Sequence, residues 1–232
     1  MLLIILISAI FIRYLLFSFS ANSLAKSSGK APVVSLKRKG NQVKKEVANS
    51  FMSSVLFGLG IFGLYHCWKT GVITTADGYA WWYHPISVVG ALLMHETYYY
   101  WLHRLMHHPT LYKYLHQGHH DSVVVSSWTS FSFDGLETVL QILALYLIAF
   151  IIPLHLYSVA FIVLFMSVSA TINHLNYEVY PKFLMKYFIG ATHHAYHHRE
   201  FRTNYGLYFT FWDKWMNTES RNYQKTIDDE RQ

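Results

Sequence analysis

Charge is scarce in this 232-residue chain: Asp, Glu, Lys and Arg make up 14%, against 53% hydrophobic residues. A soluble domain carries about 25% charged residues, so the balance points to a membrane. Cysteine is nearly absent. Cys67 stands alone, which excludes an intrachain disulfide and any cysteine-based zinc framework. Acidic residues are missing from most of the apolar runs, and Glu96 is the clearest exception. His95-Glu96 has no second histidine at the spacing of a HExxH zinc-protease site. There is no obvious serine nucleophile motif, internal repeat or low-complexity segment. The net charge is +6, but the basic residues flank apolar runs, a placement that does not suggest nucleic acid. Histidine is abundant instead, with 15 residues gathered mostly in short clusters.

Five apolar runs are near the roughly 20 residues that cross a bilayer. They cover 1–19, 48–67, 85–105, 135–152 and 154–172. Residues 1–19 hold Arg13 but no basic segment precedes them, so a retained helix is expected rather than a signal peptide. Pro153 joins the last two runs as a tight hairpin. The linker 20–47 carries Lys26, Lys30, Lys37, Arg38, Lys39, Lys44 and Lys45. Arg104 and Lys113 follow the third run, and the tail holds Lys182, Lys186, Arg199, Arg202, Lys214, Arg221, Lys225 and Arg231. Five crossings with the N-terminus outside put all these segments on the cytoplasmic side and leave Lys69 opposite, as the positive-inside rule requires. The expected fold is all-α: a multi-pass transmembrane helical bundle with a cytoplasmic helical His-rich cap. Residues 1–47 form an N-terminal membrane helix and basic linker, and 48–232 a catalytic domain.

This topology brings 103–133 and 173–232 to one side, and nearly all the clustered histidines lie there. His103 and His107 form HxxxH, with His108 beside them. His116, His119 and His120 form HxxHH. His194, His197 and His198 repeat that spacing after His193. On a helix, positions i and i+4 share a face, so His103 and His107 can reach one metal. His66, His84 and His155 each stand alone and read as surface or hydrogen-bonded residues. Clusters of this density do not read as packing, because imidazole is costly to bury without a partner and is a common metal ligand. Eight or more histidines exceed one zinc site and imply two metals. Imidazole suits Zn, Cu, Fe and Ni alike. His95 lies eight residues before His103, about 12 Å along a helix. It either lines a substrate cavity, supports a ligand, or is purely structural.

The segments HETYYYWLHRLMHHPTLYKYLHQGHH (95–120) and HHAYHHREFRTNYGLYFTFWDKWMNT (193–218) resemble the fatty acid hydroxylase/sterol desaturase superfamily, nearest to the C5-sterol desaturases. The resemblance covers roughly 50 to 218. It implies that His103, His107, His116, His119, His120, His194, His197 and His198 are metal ligands and form the catalytic site, with His174 matching a further ligand position. His108 and His193 are flanking candidates. It also implies two iron ions, O2 as co-substrate, and electrons from NAD(P)H through a partner such as cytochrome b5 or a ferredoxin. The substrate would be a lipid or sterol, hydroxylated or desaturated, in the endoplasmic reticulum or a bacterial plasma membrane. Relatives often read Phe-His-Pro-Leu-Glu where this chain has Phe133-Asp134-Gly135-Leu136-Glu137. That departure, expected near the membrane entrance of the site, weakens transfer of the sterol substrate.

Ligating histidines need acceptors for their second nitrogen, and Glu137, Glu178 and Asp213 are the candidates. Tyr98, Tyr99, Tyr100 and Trp101 fit a membrane interface. Asn204-Tyr205-Gly206 reads as a turn in which Gly206 permits unusual backbone angles. Trp212 and Trp215 are expected to anchor a helix at the membrane surface. The rival functions are a membrane metal carrier or sensor without redox catalysis, and a zinc-dependent membrane hydrolase. A carrier would place its ligands near mid-span, whereas these clusters fall at the ends of runs.

Overall fold

The structure, a computed structural model, describes residues 1–37 and 40–228. Arg38, Lys39 and Arg231 of the basic segments lie outside the described residues. Five long helices carry the architecture: α1 (Leu2–Ser27), α2 (Gln42–Lys69), α3 (Tyr83–Met106), α6 (Gly135–Ile151) and α7 (Leu156–Asn173). Short helices fill one end: α4 (Tyr112–Leu115), α5 (Gln117–His120), α8 (Lys182–Met185), α9 (Ala191–Glu200), α10 (Phe211–Trp215) and α11 (Arg221–Asp228). A 3-10 turn spans Ser127–Phe131. Among the described residues there is no β-strand, only an isolated bridge between Phe188 and Phe209.

The helix boundaries differ from those of the apolar runs. α1 continues about two turns past Phe19, through polar Asn22 and Lys26, and α2 starts at Gln42. Both extensions are tied down. Ala25 packs with Leu175 and Ala191, and Gln42 donates to the Glu46 side chain and the Val124 carbonyl. Three helices, α1, α2 and α7, are long and apolar enough to cross a membrane. α6 is shorter at 17 residues, and α3 carries too many polar groups. It buries His95, Glu96, Tyr99, Tyr100 and His103 on its inner face.

Large apolar side chains point outward from these helices. Ile5, Ile12, Leu16 and Phe19 of α1 are exposed, as are Leu143, Leu147 and Phe150 of α6 and Phe161, Leu164 and Val168 of α7. Small residues sit inside: α2 buries Ser50, Ser53, Ser54 and Gly58. An added Cβ would fall on Ile7 of α1 at Gly58, on Ile142 of α6 at Gly60, and on the Tyr146 hydroxyl at Gly63. Helices that meet through small residues and expose large ones suit a lipid solvent, where burying apolar area brings no gain.

The helices run between two ends. At one end Ala76 donates its N–H to Leu154 O, and His155 meets Asp77 at 3.4 Å. At the other end the C-terminus of α1, the N-terminus of α2, and the segments 107–133 and 174–228 assemble together. There Val33 N donates to Asn176 O, and Lys45 pairs with Asp121 at 2.5 Å.

Candidate metal centre

Each helix end delivers its histidines for a local reason. His103 lies in the last turn of α3, and His107 is its C-cap, one turn on. His116 sits at the junction of α4 and α5, where φ of −149° breaks the helix. His119 and His120 occupy α5, His174 caps α7, and His194, His197 and His198 lie on α9. Glu178 sets the start of α9 by accepting from the Thr192 N–H at 2.8 Å, an anion at the positive end of a helix.

The histidines close into two groups. The first is His103, His107, His116, His120 and His197, and the second is His119, His174, His194 and His198. In each group one nitrogen per residue lies within 4.8 Å of all the others. All nine histidines expected as ligands are therefore in one group or the other. Both HxxHH motifs are split by helical geometry: in each, positions i and i+4 go to one group and i+3 to the other.

The ring tautomers make the groups fit cations. His103 Nδ1 donates to the Tyr205 carbonyl at 2.8 Å, and His116 Nδ1 to Glu137 Oε2 at 2.9 Å. In the second group, His119 Nδ1 donates to Ser132 O at 3.0 Å and His174 Nδ1 to Ala170 O at 2.8 Å. A neutral imidazole has one N–H, so all four Nε2 atoms carry lone pairs. Yet Nε2 of His103 and His116 are 3.0 Å apart, and those of His119 and His174 are 3.2 Å apart. Two acceptors at that distance repel one another. A cation between them turns the repulsion into coordination. Each group holds one such locked pair. His197 Nδ1 donates to Thr203 O at 2.7 Å, which adds a fifth oriented ring.

Burial keeps these rings neutral, the form that binds metal. It pushes His119 down to about 4 and His174 and His197 down to about 3. The rings at 116, 120, 194 and 198 are held well below the usual range, first by burial and then by neighbouring imidazoles. A lowered folded pKa means that the unfolded chain binds more protons. Stability is then complete above about pH 6.5 and falls as pH drops toward about 3. Burial raises the carboxyls of Asp134 and Asp213, the latter to about 6, which acts in the opposite sense, but the buried imidazoles outnumber the buried carboxyls. The melting temperature of metal-depleted protein is expected to fall steadily from pH 7 to pH 5. A flat profile would contradict the buried neutral cluster.

The supporting carboxylates act at three depths. Glu137 touches a site histidine directly and takes a second bond from Gln141 at 3.0 Å. Glu137→Ala is expected to weaken metal binding 10- to 100-fold, measured as metal retained against a chelator. Asp213 accepts from the Tyr205 and Gly206 N–H groups at 2.8 and 2.9 Å, fixing the segment whose carbonyl orients His103. Glu178 acts through backbone only, accepting the N–H groups of Val179, Tyr180 and Thr192. Glu96 does for Leu207 and Tyr208 what Asp213 does for the preceding pair, accepting their N–H groups at 3.1 and 2.7 Å.

Some expectations change. Gly206 is not at positive φ; Asn204 is, at 61°. Gly206 is required for space, since a Cβ there would meet Ile189 at 2.6 Å and Phe209 O at 2.7 Å. The 133–137 stretch lies beside the site, as expected: Phe133 lines the cavity described below, Asp134 accepts the Gly118 N–H at 2.8 Å and Glu137 holds His116. His108 is exposed and bonds Thr110. His193 is fully buried outside both groups, 3.6 Å from Asp213. His95 is buried in hydrogen-bonding contact with the Tyr208 hydroxyl at 2.9 Å and lines a cavity.

That cavity, about 310 Å³, is walled by α1, α2, α3, α6 and α7 and reaches His174 and His194. Its lining is mainly apolar, including Phe17, Phe57, Phe131, Phe133 and Met166. Only the second group of histidines opens onto it.

The chain is similar to proteins of known family. A family model described as Fatty acid hydroxylase matches residues 88–218. A Delta(7)-sterol 5(6)-desaturase of Gibberella zeae is 27% identical over 178 residues, which are 75% of this chain and 55% of that protein. Lathosterol oxidase of Homo sapiens is 34% identical over 132 residues, 56% of this chain and 43% of that one. A very-long-chain aldehyde decarbonylase of Arabidopsis thaliana is 30% identical over 229 residues, 87% of this chain and 34% of its own. The chain thus spans about half the length, or less, of these curated relatives. No solved structure matches.

Proposed function

The chain belongs to the fatty acid hydroxylase family, and we propose that it is an O2-dependent, non-haem diiron membrane oxidoreductase that hydroxylates or desaturates a lipid. The paired Nε2 lone pairs in each histidine group carry this reading. A sterol-like substrate is favoured by the desaturase and lathosterol oxidase relatives, and fatty acyl lipids are compatible with the same cavity.

His103, His107, His116, His120 and His197 would hold one iron, and His119, His174, His194 and His198 the other. When bound, the irons supply the oxidising power that no side chain has for an unactivated C–H bond, using O2 and electrons from NAD(P)H through a redox partner such as cytochrome b5 or a ferredoxin. The protein's own contribution is placement. The apolar cavity aligns the lipid so that one carbon faces the His174 and His194 side, and its walls exclude water. The backbone carbonyls of Tyr205, Ser132, Ala170 and Thr203, with Glu137, keep the ligand rings fixed through turnover. Oxygen insertion gives an alcohol, and loss of two adjacent hydrogens gives an alkene. The ligand set serves both.

In this reading all five long helices cross the bilayer. The N-terminus is outside and the histidine groups are at the cytoplasmic end, in the endoplasmic reticulum or a bacterial plasma membrane. The distribution of Lys and Arg supports that orientation. Residues 48–232 would form the catalytic domain and 1–47 a helix and basic linker, with α1 closing the cavity. Ligands gathered at helix ends disfavour a carrier, which needs them near the midplane.

Expression in a host with matching redox partners, followed by lipid and sterol profiling, tests the proposal. A new alcohol or double bond that depends on iron and O2 is the expected result. Protein that moves metal across liposomes and never consumes O2 would overturn it.

A further inference from the structure

Arg13 is a cation in an apolar helix, and it lines the cavity beside Tyr14 and Phe17. It stands eleven residues from Leu2 and fourteen from Ser27, about 16 and 21 Å from the two ends of α1. The described residues offer it little. Its Nη1 donates to Ser167 Oγ, its guanidinium lies over the Phe131 ring at 5.2 Å, and it takes part in none of the ion pairs. Ser167 accepts that bond while donating its own O–H to Val163 O at 2.6 Å, so it serves one of the guanidinium N–H groups. A guanidinium has five N–H donors in a planar fork, so most of Arg13's donors have no protein acceptor.

A half-buried charge held inside an apolar run without a counter-ion marks a functional position. α7 lines the cavity from Ser167, beside Arg13, to His174 in the second metal group. Those residues are two turns apart, about 10 Å.

We propose that Arg13 anchors an anionic oxo group, a carboxylate or a phosphate, on the lipid substrate. This fixes the oxidised carbon about 10 Å from that group. The fork geometry of arginine matches both anions in bidentate fashion. The proposal rests on the cavity being the substrate site, and it selects the acidic fatty acyl alternative over the neutral sterol that the relatives favour.

The test is binding, kept separate from turnover. Full-length iron-loaded protein in neutral-lipid nanodiscs is titrated by calorimetry with palmitate, hexadecyl phosphate and methyl palmitate. Palmitate or hexadecyl phosphate is expected to bind at least tenfold more tightly than the ester, and whichever of the two gains more identifies the head group. Arg13→Met should bring acid and ester within twofold of each other while iron content stays the same. Arg13→Lys should retain part of the preference. Equal binding of acid and ester by the native protein overturns the proposal without any variant. A preference that survives Arg13→Met overturns it too. O2 uptake measured on the same samples after adding NADH, cytochrome b5 and its reductase, or NADPH with a ferredoxin and its reductase, separates the two ideas: preference without uptake under either donor sinks the oxidase reading and leaves the anchor standing.

Discussion

Replacing His119 or His197 with alanine, one at a time, is expected to lower lipid oxidation by at least about 10³-fold, a barrier increase of about 4 kcal/mol. His119 belongs to the second group and His197 to the first, so either change disables one metal position and leaves the other group intact. The two effects should not multiply in the double variant, because residues that act as one unit are strongly non-additive. Product formed per inserted protein measures this. A variant that retains a tenth of native activity would place that histidine outside the reacting centre. His108→Ala serves as the control: it is exposed and away from both groups, and activity should stay within twofold.

Asp213→Ala should cause the largest loss of stability among the supporting residues. The carboxylate accepts two buried backbone N–H groups and the Thr218 hydroxyl, the last at 2.8 Å. Alanine leaves both N–H groups unsatisfied, at about 1–3 kcal/mol each. It also loosens the Tyr205 carbonyl that orients His103. A lower melting temperature in detergent and reduced metal occupancy are expected together. Asp213→Asn keeps one acceptor oxygen and should fall between alanine and the native residue. Unchanged stability in Asp213→Ala would show that the 204–206 segment is held by other contacts.

Much of the candidate site is readable from residue spacing because side chains that share a helical face leave a local signature. His103 and His107, and the two HxxHH motifs, announce shared helical faces. The assignment of each ring to a group was not readable, since it depends on where α5 and α9 approach α3 and α7. The acceptors that fix the tautomers were mostly invisible for another reason. Tyr205, Ser132, Ala170 and Thr203 act through their carbonyls, and a backbone oxygen leaves no trace in side-chain identity. Glu137 could be named as a candidate because its support is a side chain. The helices followed the same division. Apolar runs located α1, α2 and α7, but the polar turns of α1 after Phe19 depend on packing by Ala25. α3 reads as a span by its run but is too polar to meet the same measure as the others, because its inner face builds the site. Arg13 stood out in the sequence only as an interruption of an apolar run. Its position on the cavity wall required the fold.

Counting metal is the most direct test. Protein expressed with ample iron and purified under reducing conditions should contain two irons per chain by mass spectrometry. That number should fall to one when either locked pair is broken, by His103→Ala with His116→Ala in the first group or His119→Ala with His174→Ala in the second. A native chain that holds a single metal ion, or two zinc ions that iron cannot replace, would contradict the account.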